Sequence, residues 1–385
     1  MTPEKRPSIC FVAPDLYPIL VADGSIGSAG GAEVQQNFIA RGLVARGYSV
    51  SVVTNDFGQA DESEVDGVRV IKVNTPKSNL PFIRFFHPGI TSLWAALKHA
   101  NADIYYQRSA GWPTGVVGLY CRHYGRQFIY AAAHDLDMIK DRTHELFDYP
   151  LAWRARYLFQ LGLRCASTIV VQNAVQHEAC HYWHGRNAVR ITSGYARLSA
   201  LPSMNSGRYV LWVAALRNWK RPEVFVELAR RLPKLCFHMV GGAAPGEEGK
   251  ALYSRMEAEV RALPNVVFHG FLSLARADAQ FDNALLFINT SDYEGFPNTF
   301  LQAWARAVPT ISFVNCGARD DVGPVGVVVR DLDELTASVE RFANDDAARS
   351  VEGVRCQHYF EQYHSVGTVI DHYEQLLADL MSRPT

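Results

Sequence analysis

Residues 285–313 read LLFINTSDYEGFPNTFLQAWARAVPTISF, and this pattern decides the fold. Leu285–Asn289 is an apolar run with the length of a buried strand. Thr290–Phe296 is a polar break containing Gly295. After Pro297, the residues Phe300, Leu301, Trp304 and Ala305 recur at helical spacing, and Pro309–Phe313 is a second apolar run. The unit reads strand, loop, helix, strand. Proline suits the first helical position, where its missing N–H would be unpaired anyway, so the helix is expected to begin at Pro297. The N–H groups of Asn298, Thr299 and Phe300 would then face the loop and offer an anion site. Glu294 lies in that loop, and three readings of it stand together. Ser291 and Glu294 match a capping box, although Gly295 and Pro297 would then fall in the first turns. An acid also suits the positive end of a helix. The third reading is contact with a ligand.

The chain has 385 residues, long for one core, so two domains are expected. It is 48% hydrophobic and 20% charged with a net charge of −1, which gives no electrostatic footprint for nucleic acid. No apolar run reaches the length of a membrane span, and the start, MTPEKRPSICFVAPD, has no signal-peptide hydrophobic region. Seven scattered cysteines without a Cys-x-x-Cys pair fit reduced thiols in a cytoplasmic protein.

From the start, Ser8–Pro14 reads as a strand. A long glycine-rich loop, Asp15–Ala29, leads to Gly30-Gly31-Ala32-Glu33. Val34, Phe38, Ile39, Leu43 and Val44 then form a helical stripe stopped by Gly47, and Tyr48–Thr54 is the next strand. Glycines at such a turn let backbone approach phosphate, although the dinucleotide spacing Gly-x-Gly-x-x-Gly is absent and a plain flexible loop reads equally well. Further apolar runs at Val68–Val73, Ile104–Gln107, Phe128–Ala133 and Thr168–Gln172 alternate with helical patterns, as in a parallel sheet covered on both faces. His134 and Asp135 follow the third of these at the carboxyl end, where such sheets bind ligands; they can hold a sugar hydroxyl or a proton, or bond only each other's loop. Asp135 and Asp137 also form an Asp-x-Asp, a weak metal pattern.

Around residues 191–206 the pattern dissolves into Ser, Gly, Pro and Asn, as in a linker. It resumes with Tyr209–Leu216, Leu235–Val240, Val266–Phe268, Leu285–Asn289 and Thr310–Phe313, with helices between. The domains are accordingly set at 1–200 and 201–363. Arg217 and Lys220 follow the first strand of the second half, ahead of Pro222, and Gly241-Gly242 follows the second. Asp331–Glu361 is charged and helical, and Val366–Leu380 is an amphipathic helix. Two cations, a helix start and a glycine turn together suit a diphosphate, and acidic and imidazole groups suit a polyhydroxyl ligand. Such groups can neutralise a departing diphosphate without metal.

In Glu294-Gly-Phe-Pro-Asn-Thr-Phe-Leu-Gln302, in Leu216-Arg217-Asn-Trp-Lys220-Arg-Pro and in Gly30-Gly31-Ala-Glu33, the chain resembles the retaining GT-B glycosyltransferases of glycosyltransferase family four, over almost its whole length. The resemblance implies an α/β fold of two Rossmann-like domains whose parallel sheets face across a cleft. The C-terminal helix, residues 364–385, would cross back to complete the first domain. The first domain would bind the acceptor and the second a nucleotide sugar, with no metal and no further cofactor. Arg217 and Lys220 would clamp the diphosphate. Gly30 and Gly31 would meet its distal phosphate through the Gly31 N–H, and Glu294 would hold sugar hydroxyls. Gly295, Phe296, Pro297, Asn298 and Thr299 would give adjacent backbone contacts. Gly242 would line the donor, Phe271 would lie near the base, and His134 near the sugar and the attacking acceptor. The implied reaction moves a hexose-type sugar to a hydroxyl of a glycan or lipid-linked glycan, in bacterial cell-surface polysaccharide or glycolipid synthesis. It displaces nucleoside diphosphate from the same face. The family usually carries a second glutamate eight positions after the first, for the ribose hydroxyls; here that residue is Gln302. An amide can still bind a diol, so Gln302→Glu is expected to keep activity.

Two rival readings remain. His177-Glu178-Ala-Cys-His181 matches the His-Glu-x-x-His of zinc peptidases, with His184 as a third ligand. A nucleotide-sugar-binding protein without transfer is the other, supported by Gln302. Leu80–Phe86 and Trp153–Leu163 mix aromatics with arginines; each can lie at a lipid surface, giving peripheral contact at the inner membrane face, or pack in the core.

Overall fold

The computed structural model describes residues 6–22, 30–73, 85–141, 152–197 and 209–382. Two compact units emerge, Met1–Gly194 with Val366–Thr385, and Tyr195–Ser365.

The first unit is an eight-stranded sheet in the order β3-β4-β2-β1-β5-β6-β7-β8. Its strands are β1 (Ile9–Val12), β2 (Val50–Thr54), β3 (Glu62–Val65), β4 (Val68–Lys72), β5 (Ile104–Arg108), β6 (Gln127–Ala131), β7 (Thr168–Val171) and β8 (Val189–Arg190). All pairings are parallel except β3 with β4. The central strands β1, β2, β5 and β7 are buried at every residue, the signature of a sheet covered on both faces. The edge strands β3 and β8 carry no apolar run to mark them. β3 reads Glu-Ser-Glu-Val with alternating exposure, and the signal that could have found it is the Asp66-Gly67 turn, with φ of 48° and 78°.

The stripe after Gly30 forms the helix Gly31–Ala45, and Gly47 ends it with φ of 82°. Helix Val366–Ser382 buries Val369, Ile370, Tyr373, Leu376, Leu377 and Leu380 in the core that holds Phe11, Ile39 and Leu43. The last helix therefore belongs to the first unit. On the other face, helices Trp112–Tyr124 and Ala152–Cys165 meet backbone to backbone. A Cβ at Gly162 would overlap the Thr114 carbonyl, and one at Gly115 the Leu158 carbonyl. Helix Ala152–Cys165 buries Ala155, Phe159 and Leu163 but leaves Trp153 and Tyr157 62% and 66% exposed. Residues 80–84, in the other aromatic and basic segment, lie outside the described residues, as do 23–29 of the long loop and 198–208 of the linker. Among the described residues no helix is long and apolar enough to cross a membrane.

The second unit is a parallel sheet in the order β11-β10-β9-β12-β13-β14, from β9 (Tyr209–Val213), β10 (Phe237–Val240), β11 (Val266–Gly270), β12 (Ala284–Asn289), β13 (Thr310–Ser312) and β14 (Val327–Val328). Its core joins Val210, Trp212, Phe225, Phe237, Leu286 and Ile311.

Gly162→Ala has no room to relax, because the obstacle is backbone. Its expected cost is about 1–3 kcal/mol, read as a lowered urea midpoint of the full chain. An unchanged midpoint would show that the two helices can separate freely.

Candidate active site

The second unit brings its candidate residues together through two loops. Arg217 has extended backbone and precedes a single turn, Asn218–Lys220; Arg221 then adopts φ of 49°, and Pro222 starts the helix Pro222–Arg231. The facing loop leaves β12. Thr290, fully buried, joins the two: its hydroxyl donates to the Lys220 carbonyl at 2.6 Å and accepts from the Trp212 indole at 2.9 Å. The Asp292 N–H donates to the Trp219 carbonyl at 2.8 Å. Trp219 stacks on Tyr293 at 5.9 Å and 14°, and the Arg217 guanidinium lies 4.8 Å over the Trp219 ring.

These ties set the Lys220 ammonium on the Glu294 carboxylate. Glu294 Oε1 also accepts from Ser291 Oγ at 2.8 Å and Asn289 Nδ2 at 3.2 Å. Both side chains are largely buried, with 19% and 16% exposed. Ser291 and Glu294 do meet, but in a loop and not as a helix cap. Two groups given separate ligands by the sequence, a phosphate and a sugar hydroxyl, are thus each other's partner. Arg217 is exposed and makes no ion pair among the described residues.

The expectation for Pro297 is corrected. It is the N-cap of the helix Asn298–Trp304, with φ of −67° and ψ of 121°, and not its first helical residue. Proline's ring fixes φ, and φ near −65° is common to both positions; ψ separates them. The Phe300 N–H is also taken, donating to the Pro297 carbonyl at 3.0 Å, so it is not available to an anion. Phe296 packs its ring on His364 at 4.6 Å and on Trp304 at 5.9 Å, while Gly295, Asn298 and Thr299 are half-buried. Gly242 accepts from the Leu216 N–H at 2.9 Å, which sets it beside the strand end carrying Arg217. A Cβ there would touch the Phe271 side chain at 3.1 Å, and Phe271 is itself 56% exposed.

Gln302 sits in a buried polar cluster that no spacing announced. Its Nε2 donates to Asp278 Oδ1 at 2.8 Å. Asp278 Oδ2 accepts from Arg306 Nη2 at 2.8 Å, and Arg306 also bonds Asp282 and, at 2.8 Å, the Tyr195 hydroxyl. Tyr195 in turn donates to Asp278; burial and then the Asp278 charge raise the Tyr195 pKa, so its proton stays in place. The Arg306 and Asp278 side chains are 1% and 0% exposed. A glutamate at 302 would face Asp278, which changes the expectation for Gln302→Glu from tolerated to costly.

In the first unit Gly30 caps the helix Gly31–Ala45, and the Glu33 carboxylate folds back onto it where a Cβ would lie. Burial raises the Glu33 pKa. His134 caps the turn Asp135–Asp137: its Nδ1 accepts from the Leu136 N–H at 3.1 Å, so the neutral ring carries its proton on Nε2. Asp137, buried and with its pKa raised by desolvation, accepts from the Ala133 and His134 N–H groups at 2.7 and 3.2 Å. Asp135 accepts from Asn173 at 3.1 Å and Gln176 at 2.9 Å. Asp137 thus serves its own loop, and Asp135 ties that loop to the start of the helix Ala174–His184. His177, Glu178 and His181 are exposed on the helix Ala174–His184, while His184 Nε2 lies 3.1 Å from the Met138 carbonyl and burial lowers its pKa. Among the described residues no three His, Cys, Asp or Glu side chains are grouped to hold a metal.

Two family profiles match the chain: "Glycosyltransferase Family 4" over residues 29–193 and "Glycosyl transferases group 1" over residues 207–345. Mannosylfructose-phosphate synthase of Agrobacterium fabrum is 23% identical over 356 residues, covering 82% of this chain and 78% of that protein. Among solved structures, sucrose-phosphate synthase of Thermosynechococcus elongatus superposes with a TM-score of 0.72 at 19% identity, covering 98% of this chain and all (100%) of that one. HepE of Anabaena, in complex with UDP and glucose, gives 0.71 at 17% identity, over 97% and 99% of the two chains. At these identities the structures speak to the fold.

Arg306→Met leaves Asp278 and Asp282 buried without their cation. The expected loss is about 3–5 kcal/mol, measured as a shift of the chemical denaturation curve of the full chain. A variant as stable as the parent would mean that the cluster is not dry.

Proposed function

The chain is a glycosyltransferase of the GT-B type, and we propose that it is a retaining, metal-independent member of family four that uses a nucleotide-diphosphate sugar. The observation that carries this reading is the enforced meeting of Lys220 and Glu294, with the Arg217 guanidinium held on the same loop. A diphosphate leaving group gathers negative charge as the glycosidic bond breaks. Arg217 and Lys220 are fixed cations able to stabilise that charge. Glu294 holds Lys220; on this reading a diphosphate takes over that ammonium and leaves the carboxylate to the sugar hydroxyls. Charge-assisted hydrogen bonds are made in both exchanges. Gly242 and Phe271 line the base, Gly295 to Thr299 flank the sugar, and Gln302 meets the ribose. The roles of Gly30, Gly31 and His134 are those the family resemblance implies, a backbone N–H for the distal phosphate and an Nε2–H able to donate to a hydroxyl. The acceptor hydroxyl attacks the anomeric carbon from the face that the phosphate leaves, and a departing phosphate oxygen takes its proton.

The transferred group on this reading is a hexose, and the acceptor a glycan or lipid-linked glycan of a bacterial cell surface, handled in the cytoplasm. HepE, solved with UDP and glucose, and sucrose-phosphate synthase support a nucleotide-hexose donor. The exposed Trp153 and Tyr157, with the Arg154 guanidinium 5.4 Å over the Trp153 ring, support peripheral contact with a membrane surface.

A panel of nucleotide sugars scored by thermal shift identifies the donor, because a ligand of the folded state raises stability by mass action. Turnover is then followed with and without EDTA. Donor binding without transfer to any acceptor would favour the binding-protein reading. Arg217→Ala is expected to lose about 2–3 kcal/mol of transition-state stabilisation, roughly 30- to 150-fold in kcat/KM. Near-wild-type turnover removes Arg217 from the site. Pelleting with anionic vesicles at low salt should fall in the Trp153→Ala/Tyr157→Ala variant; equal pelleting refutes this membrane face.

A further inference from the structure

Gln302 is 7% exposed, and its hydrogen bonds are divided unevenly. Nε2 donates to Asp278 Oδ1 at 2.8 Å, whereas among the described residues no group donates to Oε1. A carboxylate offers only acceptor atoms, so the amide can face Asp278 only with its NH2. Asp278 cannot turn aside. Arg306 holds Oδ2 at 2.8 Å, Tyr195 donates to Oδ1, and the residue is wholly buried. Rotating the amide by half a turn would set its carbonyl oxygen against the carboxylate, losing one bond and adding a repulsion.

We infer that Asp278 is a positioning residue for donor recognition: by holding the Gln302 amide N–H it makes Oε1 an obligate acceptor for a ribose hydroxyl. The inference rests on the donor reading above. A neutral side chain then behaves toward the diol as an acid would, and the negative charge sits one helix away, at 278. Positions 278 and 302 accept one acid between them. Gln302→Glu alone places two buried carboxylates within hydrogen-bond reach. Asp278→Asn/Gln302→Glu moves the acid across the contact and again sets a donor against an acceptor. Asp278→Asn alone offers Gln302 both a donor and an acceptor, so the glutamine amide is free to present either end.

The test compares the full-length wild type with these three variants. UDP, ADP and GDP are titrated calorimetrically, then the 2′-deoxy counterpart of whichever binds, with thermal melting alongside. Asp278→Asn is expected to fold and to lose about threefold or more of the preference for ribose over 2′-deoxyribose. Gln302→Glu is expected to melt lower and to bind about tenfold more weakly. The double variant regains the binding, while its melting stays below wild type because Arg306 keeps only Asp282 as a counter-ion. Wild-type preference in Asp278→Asn, wild-type melting and binding in Gln302→Glu, or a double variant no better than Gln302→Glu would each overturn the inference. If Asp278→Asn does not fold, the double variant carries the test alone. A wild type that binds none of the nucleotides overturns the donor reading and this inference with it; binding with an unchanged ribose preference overturns this inference only.

Discussion

The hydroxyl of Thr290 is the constraint on which the candidate donor site depends. It is buried, and it is spent twice, once on the Lys220 carbonyl and once on the Trp212 indole. One bond anchors it to the core strand β9, and the other draws the turn Asn218–Lys220 toward the loop that leaves β12. With the Asp292 N–H on the Trp219 carbonyl, the two loops become one rigid surface. Lys220 and Glu294, 74 residues apart, meet because their backbones are already tied. Side-chain attraction alone would face the entropy of ordering two long chains.

Charge in this unit is arranged in two layers. The outer layer is open in part to solvent: Lys220 paired with Glu294, and Arg217 resting on an indole ring. The inner layer is fixed. Arg306 bonds Asp278, Asp282 and Tyr195, with Asp278 and the Arg306 guanidinium buried, and a charge there is tolerable only while every partner is present. Gln302 bridges the layers, because it lies in the helix that follows the Glu294 loop and donates into the buried cluster.

Much of this was legible in the chain. Leu285–Asn289 and Thr310–Phe313 became β12 and β13 because short apolar runs between polar or turn-forming residues have few other ways to bury themselves. The stripe after Gly30 and the stripe Val369 to Leu380 became helices for the same reason at a period of 3.6 residues. Arg217 and Lys220 follow an apolar run in the sequence and lie just beyond β9 in the structure. Less legible were the edges: β3, β8 and β14 are short or polar and bury little, so hydrophobicity carries almost no signal for them. The place of Pro297, one residue ahead of the helix, is not legible either, because φ, which the ring dictates, does not distinguish the cap from the first turn.

Local pattern by itself determined the two α/β units, the alternation that makes their sheets parallel, and the residue types gathered at strand ends. These follow from periodicity and from the restricted torsions of glycine and proline, which act over a few residues. Tertiary structure alone decided who meets whom: that Glu294 answers Lys220, that His134 spends one ring nitrogen on its own turn, and that Gln302 faces a carboxylate. Asp278 is 24 residues from Gln302, and Tyr195 is 111 from Arg306. Hydrogen-bond partners at such separations are chosen by the packing of whole elements, and no spacing along the chain encodes them.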